Sequence, residues 1–254
     1  MESTSAKRSQ LLSQSTKSPD TFKKEATKER LEELLERLHS LQAVLFAERK
    51  HSVLIVLQGM DASGKDGAVK NVFSGVNPMG CNVKAFKAPT EEEKAHDFLW
   101  RIHPHAPEKG MIQIFNRSHY EDVLFPRIHE WIDMEEVRRR FEHINAWEQL
   151  LIDSGTLVFK FYLHISEEEQ KERFEERINN PEKHWKYKAS DFEEAKRWPA
   201  YREAFEDIFE HCQKAAPWHI VPADQNWYKD FVIAATIVEK LEKLKMKYPE
   251  LEEE

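Results

Sequence analysis

The sequence predicts an α/β fold: a mainly parallel sheet of five strands covered by helices and preceded by a long amino-terminal helix. Three observations carry that expectation. Short β-rich runs at residues 53–57, 82–86, 111–115, 157–163 and 219–221 alternate with helical stretches, the rhythm of parallel strands joined by crossover helices. Leu31, Leu34, Leu35, Leu38, Leu41 and Leu45 recur at helical spacing, which gives one amphipathic helix over residues 27–48 that packs on the body or on a partner chain. The first strand then runs into a glycine-flanked turn and a helix start, VLIVLQGMDASGKDGAVK.

Further along, helix starts are marked by a capping oxygen with an acid three residues on: Thr90 before three glutamates, Asp133 with Glu136, Ser166 with Glu169, and Ser190 with Glu193. No repeat or linker divides the chain. One domain is expected over residues 21–247, with an inserted lid at 175–205. The serine-rich stretch 1–20 and the acidic stretch 248–254 read as mobile ends.

Composition narrows the class. With 254 residues and 40% apolar content, the chain can bury a substantial core. No run approaches the roughly 18 apolar residues of a membrane span, no secretory signal is visible, and only Cys81 and Cys212 could form a disulfide. A cytoplasmic protein without a membrane partner fits this pattern. A net charge of −8 argues against general attraction to polyanions, nucleic acid included, so a phosphate-rich ligand needs a local basic surface.

The glycine turn supplies the first chemistry. Gly59, Gly64 and Lys65 match the spacing GxxxxGK, in which backbone amides and a lysine surround phosphate at a helix N-terminus. Ala62, Ser63 and Gly67 belong to the same cradle. Where the common motif continues with Ser or Thr, this chain has Asp66, and Asp61 lies inside the loop. Two carboxylates there repel phosphate, at about 4 kcal/mol each for ~4 Å and an effective dielectric of about 20. A divalent cation between acid and phosphate reverses the sign. Asp61 is the first metal candidate and Asp66 a second, unless Asp66 caps the helix.

A second constellation follows the third strand: Asn116, Arg117, Ser118, His119, Tyr120, Glu121 and Asp122. Arg117 is a permanent cation for phosphate, and Glu121 and Asp122 can orient an acceptor or the waters of a metal ion. His119 reads as a structural histidine, since transfer to an already ionised phosphate needs little base catalysis. Ligands gather at the carboxyl ends of parallel strands, so this segment and the glycine loop should share one edge of the sheet.

A third region, residues 173–205, interrupts the α/β rhythm with cations and aromatics. From Lys183 to Arg202 there are six Lys or Arg against three acids. Closing Arg177, Lys183 and Lys186 over a phosphate chain would add charge and exclude water, whereas the plain alternative is a solvated helix. Trp185, Trp198 and Tyr201 read as packing anchors.

The stretches GMDASGKDG, NPMGCNVKAFKAPTEEEKAHDFLWR, FNRSHYEDVLFPRIH, NNPEKHWKYKASDF and APWHIVPAD together resemble the polyphosphate kinase 2 family, over about residues 29–244. FNRSHYEDVL and NPMGC are similar to the subgroup that phosphorylates both nucleoside mono- and diphosphates. The resemblance implies a P-loop kinase-like three-layer sandwich with a helical lid. It implies reversible phosphoryl transfer from inorganic polyphosphate to AMP or ADP, with guanine nucleotides as further acceptors, Mg²⁺ or Mn²⁺ as cofactor, and a homo-oligomeric dimer or tetramer. Among site residues it adds Lys87, Asn116, Tyr120 and Arg127 to the phosphate- or nucleotide-binding set. Asn116 stands where other subgroups carry an aspartate, which moves the metal role toward Asp61, Glu121 and Asp122. Two rival readings stay open on the residues alone: an ATP-dependent, thymidylate-like nucleoside monophosphate kinase, and a nonenzymatic polyphosphate-binding module.

Overall fold

A computed structural model describes residues 14–251. Helix α1 (Lys24–Glu48) buries Leu38, Leu41 and Leu45 and ends where Arg49 turns left-handed (φ 54°). It is followed by β1 (Ser52–Gln58), which is buried at every position. Helix α2 (Lys65–Phe73), strand β2 (Cys81–Ala85) and a short helix α3 (Glu91–Lys94) come next. Then follow β3 (Ile112–Asn116), α4 (Glu121–Ile128), α5 (Met134–Asp153) and β4 (Thr156–His164). The lid region holds the carboxyl half of α6 (Glu167–Asn179), a 3₁₀ segment Pro181–Lys186, α7 (Ala189–Ala195) and the start of α8 (Trp198–His211). Strand β5 (Trp218–Pro222) and α9 (Asn226–Lys243) complete the described chain.

The five strands form one sheet in the order β2-β3-β1-β4-β5, and every pair is parallel. β1 is central because it is apolar on both faces, the condition for a strand covered by helices on each side. Its neighbours fix the register that matters for function: Leu57 pairs with Asn116, so the strand ends that lead into the glycine loop and into residues 116–122 lie side by side. Helix α1 packs on α9 and so belongs to the body of this chain.

Three of the four expected caps form. Thr90 makes a reciprocal capping box with Glu93, Asp133 accepts from the Glu136 amide, and Ser166 accepts from the Glu169 amide. Ser190 does not cap. Helix α7 begins two residues earlier than that cap would set it, at Ala189, with the extended Lys188 in the cap position.

The expectation of mobile ends falls partly outside the described residues, at 1–13 and 252–254. Residues 14–18 lie against the body: Thr16 Oγ1 donates to Asp224 Oδ2 at 2.7 Å, and the Ser18 amide donates to Gln225 Oε1 at 2.8 Å.

Candidate active site

The glycine loop is shaped by backbone geometry before any side chain acts. Gly59 has φ 151°, and a Cβ there would stand 2.8 Å from the Leu163 carbonyl oxygen, so β4 itself excludes any larger residue. Gly64, with φ 91°, opens helix α2. Ala62 adopts φ 63°, a region that costs a residue with a Cβ about 1–2 kcal/mol. The loop is held in that shape from outside: Arg173 Nη1 donates to the Ala62 carbonyl at 2.8 Å, Gln170 Nε2 to the Asp61 carbonyl at 2.8 Å, and Lys229 Nζ to the Gly64 carbonyl at 3.2 Å. Sequence reasoning missed all three. Nothing local marks them, because they come from α6 and α9, more than a hundred residues away along the chain.

Lys65 lies inside the loop it follows. Its Nζ donates to the carbonyls of Gly59 at 2.7 Å and Met60 at 3.0 Å, and to Ser63 Oγ at 3.3 Å. Burial, with the nearby Arg117 charge added, pulls its pKa down from 10.5 to about 8. The ammonium thus stays charged at neutral pH but is poorly solvated. A phosphate arriving there gains more from it than from a surface lysine.

Arg117 follows β3 in a left-handed conformation (φ 61°), which swings its side chain across to the loop. The guanidinium pairs with Asp61 and lies 3.6 Å from Glu121. Glu121 raises the Arg117 pKa further, against the opposing effect of burial. One residue earlier, Asn116 Nδ2 donates to Asp66 Oδ1 at 2.8 Å, and from the lid Lys186 Nζ reaches Asp66 Oδ2 at 3.0 Å. Burial pushes the Asp66 pKa up, but these two donors outweigh it and the net shift is downward. The loop after β1, the segment after β3 and the lid therefore meet at one place, as the strand register requires.

Two other lid cations are also matched to acids. Arg177 Nη1 lies 3.1 Å from Asp191 Oδ2, and Lys183 pairs with Glu176. Trp198 is buried, and Tyr201 donates to Glu194 at 2.7 Å. Trp185 departs from the expected anchoring role: it is 74% exposed, with the Lys186 ammonium over its ring.

Four expected site residues are not brought to the cleft. Tyr120 is fully buried, its hydroxyl donating to Glu148 Oε1 at 2.8 Å. Asp122 turns into the body and takes Arg101 Nη2 at 3.1 Å; burial outweighs that partner and lifts its pKa to about 6. Arg127 spans α4 and α8, with Asp207 Oδ2 2.7 Å away. Lys87 is exposed past the end of β2 with no side-chain partner among the described residues. Tyr120 and Asp122, at the start of α4, point into the body while Glu121 between them faces the cleft; Arg127, in the last turn of α4, is held by Asp207.

Between loop and lid runs a cleft of about 290 Å³ lined by Gly59, Asp61, Arg117 and Glu121, by Leu124, Phe125, Tyr201 and Phe205, and from the lid by Lys188, Asp191 and Glu194. A parallel sheet with a glycine loop at its carboxyl edge, a buried lysine in that loop, an arginine from the next strand and a cationic lid define a phosphate-loop kinase. Residues 21–249 match the polyphosphate kinase 2 family. The chain is 48% identical over 230 residues to an AMP/ADP-polyphosphate phosphotransferase of Meiothermus ruber, covering 90% of this chain and 86% of the relative. It is 43% identical to an ADP-polyphosphate phosphotransferase of Rhodopseudomonas palustris, over 88% and 83% of the two chains. The crystal structure of polyphosphate kinase 2 from Arthrobacter aurescens superposes with a TM-score of 0.93 at 39% identity, covering 96% of this chain and 89% of that one.

The chain belongs to the polyphosphate kinase 2 family. It is therefore a phosphotransferase that uses polyphosphate to phosphorylate nucleotides. Among the described residues no helix is long and apolar enough to cross a membrane.

Proposed function

We propose that the enzyme moves the terminal phosphoryl group of inorganic polyphosphate onto both AMP and ADP, and that it runs backwards when concentrations favour polyphosphate. One observation carries the reading: cations from three separate elements, Lys65, Arg117 and Lys186, reach a single loop. Such convergence suits a polyanion longer than one phosphate. The naming of the Meiothermus relative for both acceptors supports the double specificity.

In this scheme the loop amides of residues 59–64 and Lys65 hold the donor, and Arg117 neutralises the charge that spreads over the transferring group. The terminal anhydride P–O bond breaks, a P–O bond to the acceptor's phosphate oxygen forms, and polyphosphate leaves one unit shorter. The attacking oxygen is already ionised, so no base is required. Arg177, Lys183 and Lys186 exchange their acids for phosphate and close water out.

Asp61 and Glu121 fit a divalent cation. They flank Arg117 at the cleft floor and offer hard carboxylate oxygens, the donors that Mg²⁺ takes together with water and substrate phosphates. Asp122 does not fit, being buried against Arg101. Asp66 fits less well than Asp61, because both its oxygens are already engaged. When bound, Mg²⁺, or Mn²⁺ in its place, supplies charge neutralisation between carboxylates and phosphates. Guanine acceptors, a cytoplasmic location and a homo-oligomeric state are supported by the family likeness rather than by the site.

The test is donor exchange. ADP and, separately, AMP are incubated with polyphosphate and Mg²⁺ without ATP, and products are separated. ATP and ADP are the expected products; transfer only when ATP is the donor would overturn the assignment.

A further inference from the structure

The lining of the cleft is of two kinds. Arg117 stands with Asp61 and Glu121, and the lid adds Lys188 and Asp191; the rest, Leu124, Phe125, Ala195, Tyr201 and Phe205, is an apolar wall that carries Glu194. A nucleotide in the cleft places its phosphates on Arg117 and its base on the aromatic and apolar surface beside Glu194.

Glu194 is held in an unusual way. The Tyr201 hydroxyl donates to Oε1 at 2.7 Å, and His129 Nε2 lies 3.0 Å from the same oxygen. Both protein partners converge on Oε1. Oε2 has no partner among the described residues, although the side chain is only 21% exposed. Asp191, also in the lining, differs in the free enzyme, where Arg177 Nη1 holds its Oδ2 at 3.1 Å. Tyr201 and His129 thus fix the orientation of a carboxylate whose second oxygen is left as a hydrogen-bond acceptor in a mostly apolar wall. An ionised carboxylate only accepts.

We infer that Glu194 reads the base of the acceptor: its Oε2 accepts a hydrogen bond from the exocyclic amine of adenine and ranks 6-aminopurines above purines with oxygen, or nothing, at that position, so that guanine nucleotides are the weaker acceptors. The inference rests on the proposed nucleotide kinase function and names the residue that sets base preference within it. A hypoxanthine base would turn its O6 toward Oε2, acceptor against acceptor. Unsubstituted purine keeps the ring surface and loses only the amine.

The experiment compares ADP, IDP and purine riboside 5′-diphosphate as acceptors with polyphosphate as donor, in the wild-type enzyme and in Glu194→Gln. Wild type should favour ADP over both analogues in kcat/KM by about tenfold or more, the effect of one charge-assisted hydrogen bond. In Glu194→Gln the amide oxygen can keep Tyr201 and His129 while the NH₂ group replaces Oε2 and donates to O6. IDP should then gain on ADP by about tenfold, an inversion that a merely structural glutamate would not produce. Glu194→Ala should lose the discrimination without inverting it. Should turnover of a variant be too low, calorimetric affinities for ADP and IDP give the same ratio. An ADP-to-IDP ratio unchanged in Glu194→Gln, or no preference for ADP in wild type, overturns the inference and leaves the kinase function standing. If wild type transfers phosphate from polyphosphate to none of the three, the proposed function fails and the inference with it.

Discussion

Arg117 and Tyr120 stand three residues apart on one turn, and their surroundings are opposite in kind. Arg117 is 40% exposed, and its partners Asp61 and Glu121 line an open cleft. Behind it, His119, Tyr120, Glu148 and Lys160 form a network with no solvent exposure, in which Lys160 Nζ lies 2.6 Å from Glu148 Oε2 and donates to the Cys212 carbonyl at 2.8 Å. Charges in the first region can trade partners, since they are only partly buried and a phosphate entering the open cleft can take the place of an acid. Those in the second cannot, because each would be left dry and unpaired. One short segment thus carries exchangeable charge on one side and a fixed anchor on the other, and the anchor sets where the exchangeable charge points.

The sharpest way to break that contrast is to damage the anchor. Lys160→Ala leaves the Glu148 carboxylate buried without its cation and should cost about 3–5 kcal/mol, read as a fall in Tm of roughly 6–20 °C. A loss below about 1 kcal/mol in denaturant titration would show the network to be dispensable. On the cleft side the expected pattern reverses. Lys65→Ala should lower kcat for polyphosphate-dependent ATP formation about 10²–10³-fold while Tm moves by only a few degrees. Near-normal turnover would remove Lys65 from the mechanism.

Most of the fold was legible because it depends on local patterns. The apolar run 53–57 announces a central strand, and Thr90, Asp133 and Ser166 each place a capping oxygen three residues before an acid. The glycine turn and the helix that follows it were legible for the same reason. Which residues of 116–122 face the cleft was not, since the left-handed Arg117 and the turn into α4 decide it, and neither is written in composition. Tyr120 and Arg127, expected at the site from the family resemblance, and Asp122, expected there for its carboxylate, are held by partners in the body. The braces Arg173, Gln170 and Lys229 were invisible because only the finished sheet brings α6 and α9 to the loop.

A smaller effect separates the two regions by pH. With its pKa held near 8 in the free enzyme, Lys65 should lose charge as pH rises through that value, and kcat/KM for polyphosphate should fall up to tenfold per unit above it. Bound phosphate favours the ammonium, so kcat should hold to higher pH. The stability contribution has the opposite sign. The folded pKa, about 8, lies below the ordinary 10.5, so within that window the unfolded chain binds more protons and Lys65's contribution to stability rises with pH. A kcat/KM profile without an alkaline limb between about pH 7.5 and 9 would show that the charge of Lys65 is not used in capture.

The two loop acids give the finest comparison. Asp61 faces the cleft beside Arg117 and Glu121, whereas Asp66 has one oxygen on Asn116 and the other on Lys186. If the cation is carried on the Asp61 side, Asp61→Asn should raise the Mg²⁺ concentration needed for half-maximal rate by about tenfold or more. Asp66→Asn keeps the contact to Asn116 and releases Lys186, so its Mg²⁺ requirement should stay within about threefold of wild type. Freed of its acid, Lys186 is available to the donor sooner, and KM for polyphosphate should fall by roughly two- to threefold, an effect that salt erases as it screens an exposed pair. Equal Mg²⁺ shifts in the two variants would place the cation between both carboxylates and make Asp66 a metal ligand rather than the lid's contact on the loop.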